Sequence, residues 1–309
     1  MKTVSTPALQ VSVVIMTFNR PTTLRRCLES MKTQSLDSSC FEILVVDVST
    51  EPVTDVLRAF EGSMNIRHFH TTNKGVAGNR NFGADRARAA LLAYIDDDCV
   101  AEPNWLEKLV TSAEANPGCL IGGGVRNLHP GNVVACAGQV ITEAVDSCFN
   151  TTANSPVFFP GLNFAVPRDR YLSIGGCDEA FGRLAAEDRD FADRWNQSGG
   201  QQVSEPDAIV IHEHRTDLKG FVRQYFNYGK GAWRYHSLRR SRNSSAFSDS
   251  LGLHTRLWSY TRQPLSEVPS GMRTKIYFLL LVWEMANAAG FAWQACKESI
   301  GGLFGAAKQ

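Results

Sequence analysis

The apolar run Leu91-Leu92-Ala93-Tyr94-Ile95 ends without transition in three consecutive carboxylates, Asp96, Asp97 and Asp98. A short continuous apolar run of this kind suits a buried strand, so the fold has to bring that strand's end to a place where dense negative charge is tolerated. Like charges this close raise one another's pKa unless a cation or donor groups offset them. Hard oxygen ligands favour Mg²⁺ or Mn²⁺, and Mg²⁺ is usually held by one or two carboxylates together with substrate phosphates. A metal-bound phosphate site meets these demands. An acidic, solvated turn also suits three Asp residues, because turns favour Asp for local hydrogen bonding, and the rest of the chain has to decide between the two.

Upstream, Val11 to Met16 is a β-branched run followed by Thr17-Phe18-Asn19-Arg20 and then Pro21, a residue favoured in the first turn of a helix. Leu24, Leu28 and Met31 recur at i, i+4 and i+7, which predicts strand, loop, helix. A second apolar run, Phe41 to Val46, ends at Asp47. Thr54 to Phe60 reads as helix, Ile66 to Phe69 as a third strand, and Asn79 to Ala93 as an Ala/Arg-rich helix leading into Tyr94-Ile95. Strands alternating with helices at this spacing predict an α/β fold with a mostly parallel sheet flanked by helices. Ligands of such sheets bind outside the carboxyl ends of the strands, where Thr17-Phe18-Asn19, Asp47 and Asp96 to Asp98 all fall.

Further on, Pro103 opens a helix with Trp105, Leu106 and Leu109 on one side, and Gly122 to Phe159 reads as irregular β structure and loops. Pro167 starts a helix ending near Gly175-Gly176. Glu187 to Asn196 forms another, stopped by Ser198-Gly199-Gly200, and Ala208 to Ile211 is a last strand. Beyond Leu218 the pattern is helical with a Ser-rich interval from Ser237 to Ser250. Ile276 to Trp293 is the most hydrophobic stretch but holds Glu284 and Asn287. Central charge is poorly tolerated in a membrane span, so a packed or membrane-surface helix is expected.

The chain's 309 residues suit a domain of residues 1–218, with halves at about 11–100 and 101–218, plus a basic and apolar helical extension over 219–309. Its net charge of +1 gives no global reason to expect nucleic acid. Between Arg215 and Arg242, however, eight cationic residues face only Asp217, with Phe221, Tyr225, Tyr228, Trp233 and Tyr235 interleaved. That segment fits anionic lipid, an acceptor phosphate or a plain solvated face. Eight scattered cysteines without a CxxC pair, and Met1 to Gln10 without an apolar signal core, make a reducing cytoplasm the expected setting. No Cys/His quartet has structural zinc spacing.

Two further groups carry chemistry. Glu187-Asp188 opens a helix whose dipole stabilises the anion, which suits either a base or simple capping. His212-Glu213-His214 follows a strand, and alternation places both histidines on one face, as a structural pair or as completion of a metal site begun by Asp98.

In order along the chain, Thr17-Phe18-Asn19-Arg20, Val45-Val46-Asp47, Asn73-Lys74-Gly75 with Gly78-Asn79-Arg80-Asn81-Phe82-Gly83, the Asp triplet, Gly161-Leu162-Asn163-Phe164-Ala165, Gly175-Gly176-Cys177-Asp178-Glu179, Glu187-Asp188 and His212 resemble a family 2 glycosyltransferase with the GT-A fold. The resemblance spans about Val11 to His214. It implies an inverting, metal-dependent enzyme that moves a sugar from a nucleotide-diphosphate sugar to an acceptor hydroxyl of a glycan, lipid-linked or small molecule. Thr17 and Asp47 would then meet the nucleobase and ribose, with Asn19, Arg20, Lys74 and Arg80 nearby. Asp96 and Asp97 would face ribose or phosphates, and Asp98 would bind Mn²⁺ or Mg²⁺ with His212, or His214, as a further ligand. Asp188 would be the base, aided by Glu187, and Gly161, Asn163 and Trp195 would shape the acceptor pocket. Trp195 suits a core position equally well. Val48-Ser49-Thr50 departs from the family's usual Asp or Asn followed by Gly-Ser, which leaves the nucleobase contacts open.

Three rivals remain in view. A sugar nucleotidyltransferase needs a Gly-rich, Lys/Arg-bearing loop after the first strand, and a dinucleotide-dependent oxidoreductase needs GxGxxG there; Thr17-Phe18-Asn19-Arg20-Pro21 is neither. A catalytically inactive carbohydrate- or nucleotide-binding protein of the same fold would have no need for the carboxylates, the Glu-Asp pair and the His together. The expected location is cytoplasmic, with peripheral contact to the inner membrane face through the C-terminal region.

Overall fold

Strand β1 (Val11–Thr17) lies between β2 (Phe41–Asp47) and β4 (Leu91–Asp96), parallel to both, and β3 (Ile66–His70) adds in parallel beyond β2. The register pairs Thr17 with Asp47 and Met16 with Asp96, so three strands end on one edge. Alternation along β1 explains why both faces need cover: Val11, Val13 and Ile15 point into one core cluster and Val14 into another. Helix α1 (Pro21–Lys32) supplies Leu24, Cys27, Leu28 and Met31 to the first cluster, and α2 (Thr54–Arg58) adds Val56 and Leu57. Helix α3 (Gly75–Arg86) covers the other face, where Gly83 lies directly over Val14. This computed structural model describes residues 9–150, 156–242 and 254–306, with residues 300–306 as backbone only. Residues 1–8 and the Ser-rich stretch 243–250 therefore lie outside the described residues.

The sheet continues in a different sense. After β5 (Cys99–Ala101), α4 (Trp105–Ala115), β6 (Leu120–Asn127) and α5 (Val133–Phe149) comes β7 (Asn163–Pro167), which pairs antiparallel with both β4 and β6. Helix α6 (Arg168–Ser173), a 3-10 turn (Glu179–Phe181) and α7 (Glu187–Gln197) lead to β8 (Gln202–His212), antiparallel to β5. The eight strands run β3-β2-β1-β4-β7-β6-β8-β5. The expected mostly parallel sheet is thus parallel from β3 to β4 and mixed beyond. Strands and helices keep alternating beyond β4, but there the connections return neighbours antiparallel, as β7 lies between β4 and β6.

The stretch 122–159, expected to be irregular, contains β6 and the 17-residue α5. Asn132 caps that helix, its side chain accepting from the Val134 and Ala135 amides at 2.9 and 3.0 Å, and Ala137, Val140, Ile141 and Ala144 bury one face. The Gly- and Asn-rich flanks hid this periodicity. Likewise Leu91 to Ala93, expected at a helix end, belong to β4.

By contacts the chain divides into two units. One holds the described parts of Met1–Arg126, Thr152–Gly182 and Phe191–His212; the other holds those of Asn127–Thr151, Arg183–Asp190 and Glu213–Gln309. The second unit comprises α5, the start of α7, α8 (Leu218–Ser241), α9 (Leu257–Glu267) and α10 (Ser270–Ala306). Its core joins Val140 and Ile141 of α5 to Phe221, Tyr225, Leu257, Leu280 and Trp283. This shared apolar cluster is why residues 127–151 group with the C-terminal helices rather than with the sheet.

In the sheet unit, Glu42 is fully buried within β2, accepting from the Ser12 hydroxyl at 2.8 Å, the Arg88 amide at 2.7 Å and Arg67 Nη1 at 3.0 Å. Removing one member of a buried ion pair leaves its partners unsatisfied. Glu42→Ala is expected to cost about 3 kcal/mol, measured as a shift of the urea unfolding midpoint.

Candidate active site

The crevice is built at the carboxyl ends of β1, β2 and β4. Asn19 takes a left-handed conformation, φ 54°, one that Asn adopts more readily than most residues. This turn lets the chain leave β1 and enter α1 with Arg20 at its head. The Asn19 amide donates to Ser49 Oγ at 2.8 Å, and its side-chain oxygen accepts from the Thr50 amide at 2.8 Å, so the loops after β1 and β2 are fastened together.

Arg20 answers the charge problem set by the Asp triplet. Its Nη1 donates to Asp97 Oδ1 at 3.1 Å and to Asp98 Oδ2 at 2.7 Å. Asp97 is buried and also accepts from the Thr17 hydroxyl at 2.8 Å. Even so, burial and the Asp98 charge push the Asp97 carboxyl up to about 7, with Arg20 and Thr17 acting in the opposite sense. Asp96 shifts in the same direction through burial, opposed by Arg80. The other oxygen of Asp98 faces His212 Nε2 at 3.5 Å, because the β5–β8 register sets Cys99 against His212.

Ligand atoms of Asp98, Cys99 and His212 all lie within 4.8 Å of one another. Cys99 is fully buried, and burial with the neighbouring Asp charges pushes its thiol well above the usual range. The Asp98 carboxylate oxygen and the His212 imidazole nitrogen of this group are donors that suit a divalent cation. His214 has a different place: β8 stops at His212, so alternation does not extend to it. It is buried against α5, its Nε2 3.0 Å from Gln139 Oε1.

Other expected site residues divide into reachable and structural. Lys74 is exposed at the head of α3. Arg80 is buried, donating to the Gly161 carbonyl at 2.9 Å and lying 4.0 Å from Asp96, so it ties the Gly161 loop to the carboxylate cluster. Asp47 is fully buried; burial opposes its charge, but hydrogen bonds from Val53 and Ser49 hold its carboxyl below the usual range. These bonds shape the loop after β2.

Asn163 and Trp195, expected at the acceptor pocket, are both buried. Asn163 accepts from Trp105 Nε1 at 2.8 Å and donates to the Gly124 and Ala208 carbonyls at 2.8 and 2.9 Å, which uses its whole amide. Trp195 is fully buried, its Nε1 donating to the Gln201 carbonyl at 2.9 Å, so neither ring face is open to a sugar.

In the second unit, the head of α7 carries the acidic pair. Glu187 is buried, and Asp188 Oδ1 accepts from the Arg189 amide at 2.8 Å. Ala186, just before them, has φ 74°, strained for a residue with a Cβ. Asp190, fully buried, accepts from Arg242 Nη1 at 2.6 Å, and the Arg189 guanidinium lies over Phe149 and Tyr235 at 5.0 and 5.1 Å. Neither Asp190 nor Arg242 stood out in the sequence, since 52 residues separate them.

Two family descriptions match the chain: glycosyl transferase family 2 over residues 12–133 and glycosyl transferase family group 2 over residues 91–293. The chain belongs to the family 2 glycosyltransferases. Among relatives, validoxylamine A glucosyltransferase of Streptomyces hygroscopicus subsp. limoneus is 30% identical over 61% of this chain and 48% of its own length. The chain thus spans about half of that relative. A glucosyl-dolichyl phosphate glucuronosyltransferase of Haloferax volcanii is 27% identical over 72% of this chain and 75% of its own. A mannosyltransferase from Pyrobaculum calidifontis, solved with GDP-Man and Mn²⁺, superposes with TM-score 0.65 at 15% identity, covering 93% of this chain and 88% of that one. S. aureus TarS 1-349 gives TM-score 0.54 at 13% identity, covering 93% and 92%. The fold is the GT-A fold.

Asn163→Ala is expected to lower stability by about 3 kcal/mol, since it orphans three buried groups. Calorimetry should show the melting temperature falling even without any ligand.

Proposed function

We propose that the protein is an inverting glycosyltransferase that moves a sugar from a nucleotide-diphosphate sugar to an acceptor hydroxyl in glycan, polysaccharide or glycolipid synthesis. The observation that carries this reading is the pairing of Asp98 with His212 beside Asp96 and Asp97, at the strand ends of a family 2 fold. A divalent cation held by Asp98 and His212, Mn²⁺ or Mg²⁺, would offset the charge of the diphosphate leaving group. The Pyrobaculum structure, solved with GDP-Man and Mn²⁺, supports that choice of cofactor.

The chain's own residues do the rest. Thr17 and Arg20 hold Asp97 and Asp98 in place. Arg80 holds Asp96 and the Gly161 loop at the donor side, and Lys74 offers an exposed cation to phosphate. Asp188, at the head of α7, takes the proton from the acceptor hydroxyl as that oxygen attacks the anomeric carbon. Glu187, buried beside it, steadies the helix start. One base and one displacement invert the configuration. The acceptor is a glycan, a lipid-linked sugar or a small molecule. The enzyme would work in the cytoplasm, with its C-terminal helices against an anionic membrane surface.

A thermal-shift screen of nucleoside diphosphates with Mn²⁺ tests the donor site: a ligand at a hundredfold its Kd stabilises by about 2.7 kcal/mol. Asp98→Ala is expected to remove the Mn²⁺-dependent part of that shift. Asp188→Asn should cut transfer by roughly a hundred- to ten-thousandfold while nucleotide affinity, read by calorimetry, stays within about twofold. Normal transfer by both variants would sink the assigned roles.

A further inference from the structure

Helix α10 is apolar on two faces, and the packing among the described residues uses one. Ile276, Leu279, Leu280, Trp283 and Ala286 are buried at helical spacing in the core of the second unit. On the opposite face, Phe278, Leu281, Met285 and Trp293 are 61, 51, 63 and 61% exposed. These four follow the 3.6-residue period. The space between them on that face is filled by exposed Ala288, Ala289 and Ala292. From Ile276 to Cys296, about 30 Å of helix, the sole charged residue is Glu284, and His254 Nδ1 meets its carboxylate at 2.7 Å.

The ends of this strip are cationic. Exposed Lys275 precedes it and exposed Lys297 follows it. Beside it, Trp258 of α9 is half exposed and packs against Tyr277 in a tilted contact with centroids 5.6 Å apart, and Arg256 and Arg262 are exposed on or next to α9, with Glu267 as that helix's exposed acid. An apolar strip framed by Lys and Arg and set with Trp and Tyr is the pattern of a helix lying in a lipid interface.

We propose that the exposed face of α10, with Trp258, lies in the surface of an anionic lipid bilayer with the helix axis along the membrane plane. The charge pattern selects this occupant. Two copies pairing antiparallel through this face would set Lys275 of one against Lys297 of the other, whereas anionic headgroups attract both ends. Ser270–Ser299 is long and apolar enough to cross a membrane, but spanning would strip Trp283 and Leu280 from their core and carry Glu284 into hydrocarbon. The inference gives a surface to the membrane contact proposed above. It rests on α9 and α10 alone, so its failure leaves the donor site untouched.

The test uses the full chain with vesicles of pure phosphatidylcholine and of an equimolar phosphatidylcholine–phosphatidylglycerol mixture. Co-sedimentation with the mixed vesicles, reversed by high salt, is expected, together with quenching of tryptophan emission by lipids brominated near the headgroup. Trp293→Phe should lose much of that quenching. The double variant F278E/M285E should bind at least about tenfold more weakly, and K275E/K297E should lose the preference for anionic lipid. Both variants should keep the stabilisation by nucleoside diphosphate and Mn²⁺, which reports on the other unit. Absence of vesicle binding, unchanged binding by F278E/M285E, retention on vesicles after alkaline carbonate, or a solution dimer broken by that double variant would each overturn the proposal.

Discussion

The sheet unit is organised around a cluster of carboxylates at the end of a buried strand. Asp97 is almost wholly removed from water, yet Arg20 and Thr17 both bond it, and Arg20 also bonds Asp98. Without that guanidinium the cluster would bury uncompensated charge, an outcome that costs several kcal/mol per ion. The position of Arg20 follows from the left-handed turn at Asn19 and from Pro21 opening α1 directly after it. The turn is held by Ser49 and Thr50 in the next βα loop. Three loops are therefore fixed by one electrostatic demand. Burial and the Asp98 charge still push the Asp97 carboxyl up, with Arg20 and Thr17 acting in the opposite sense.

Much of this was readable from residue order. Apolar runs that stop at polar residues gave β1, β2 and β4 their ends, and the parallel register then brought Thr17, Asp47 and Asp96 to one edge. Side-chain purpose was less legible. Asn163 and Trp195 are residue types that suit a sugar pocket, but they equally suit buried amide and indole positions. Only the fold brings the carbonyls of Gly124 and Ala208, 39 and 45 residues away, to the Asn163 amide. Asp47 illustrates the same ambiguity, since a strand-end carboxylate can cap its own loop. β5 has three residues, too few for any period, and so the strand that pairs with β8 and sets Cys99 against His212 left no signal of its own.

The helical unit depends on close backbone approach. Gly231 of α8 faces the Ala185 carbonyl, and Gly229 and Gly290 face the backbones of Asn287 and Phe226, where any Cβ would collide. Small residues let helix backbones come this near, and the large residues around them then fill the core. At the head of α7 the same closeness is combined with charge: Asp190 is fully buried against Arg242, and Arg189 is laid across two rings. The strained Ala186 stands between these anchors. A backbone conformation costing about 1–3 kcal/mol persists when its neighbours on both sides are fixed, and here Ala185 is held by α8 while Asp190 is held by an ion pair.

Helix α10 shows how far composition can leave a face undetermined. Its residues from Ile276 to Trp293 are apolar nearly all round, a pattern that alone does not separate core helix from lipid-bound helix. Packing breaks the symmetry. Trp283 and Leu280 turn toward Tyr225 and Phe221 of α8, and Glu284 sits where His254 can reach it, at the border between the buried and exposed sides. Water is a poor solvent for what remains, because exposed apolar side chains gain nothing from hydration. With its single charge between Ile276 and Cys296 at that border, the helix keeps the strip free of charge for some other medium. The lysines that bracket it are placed where long aliphatic stems reach outward to polar surroundings while the strip between them stays apolar.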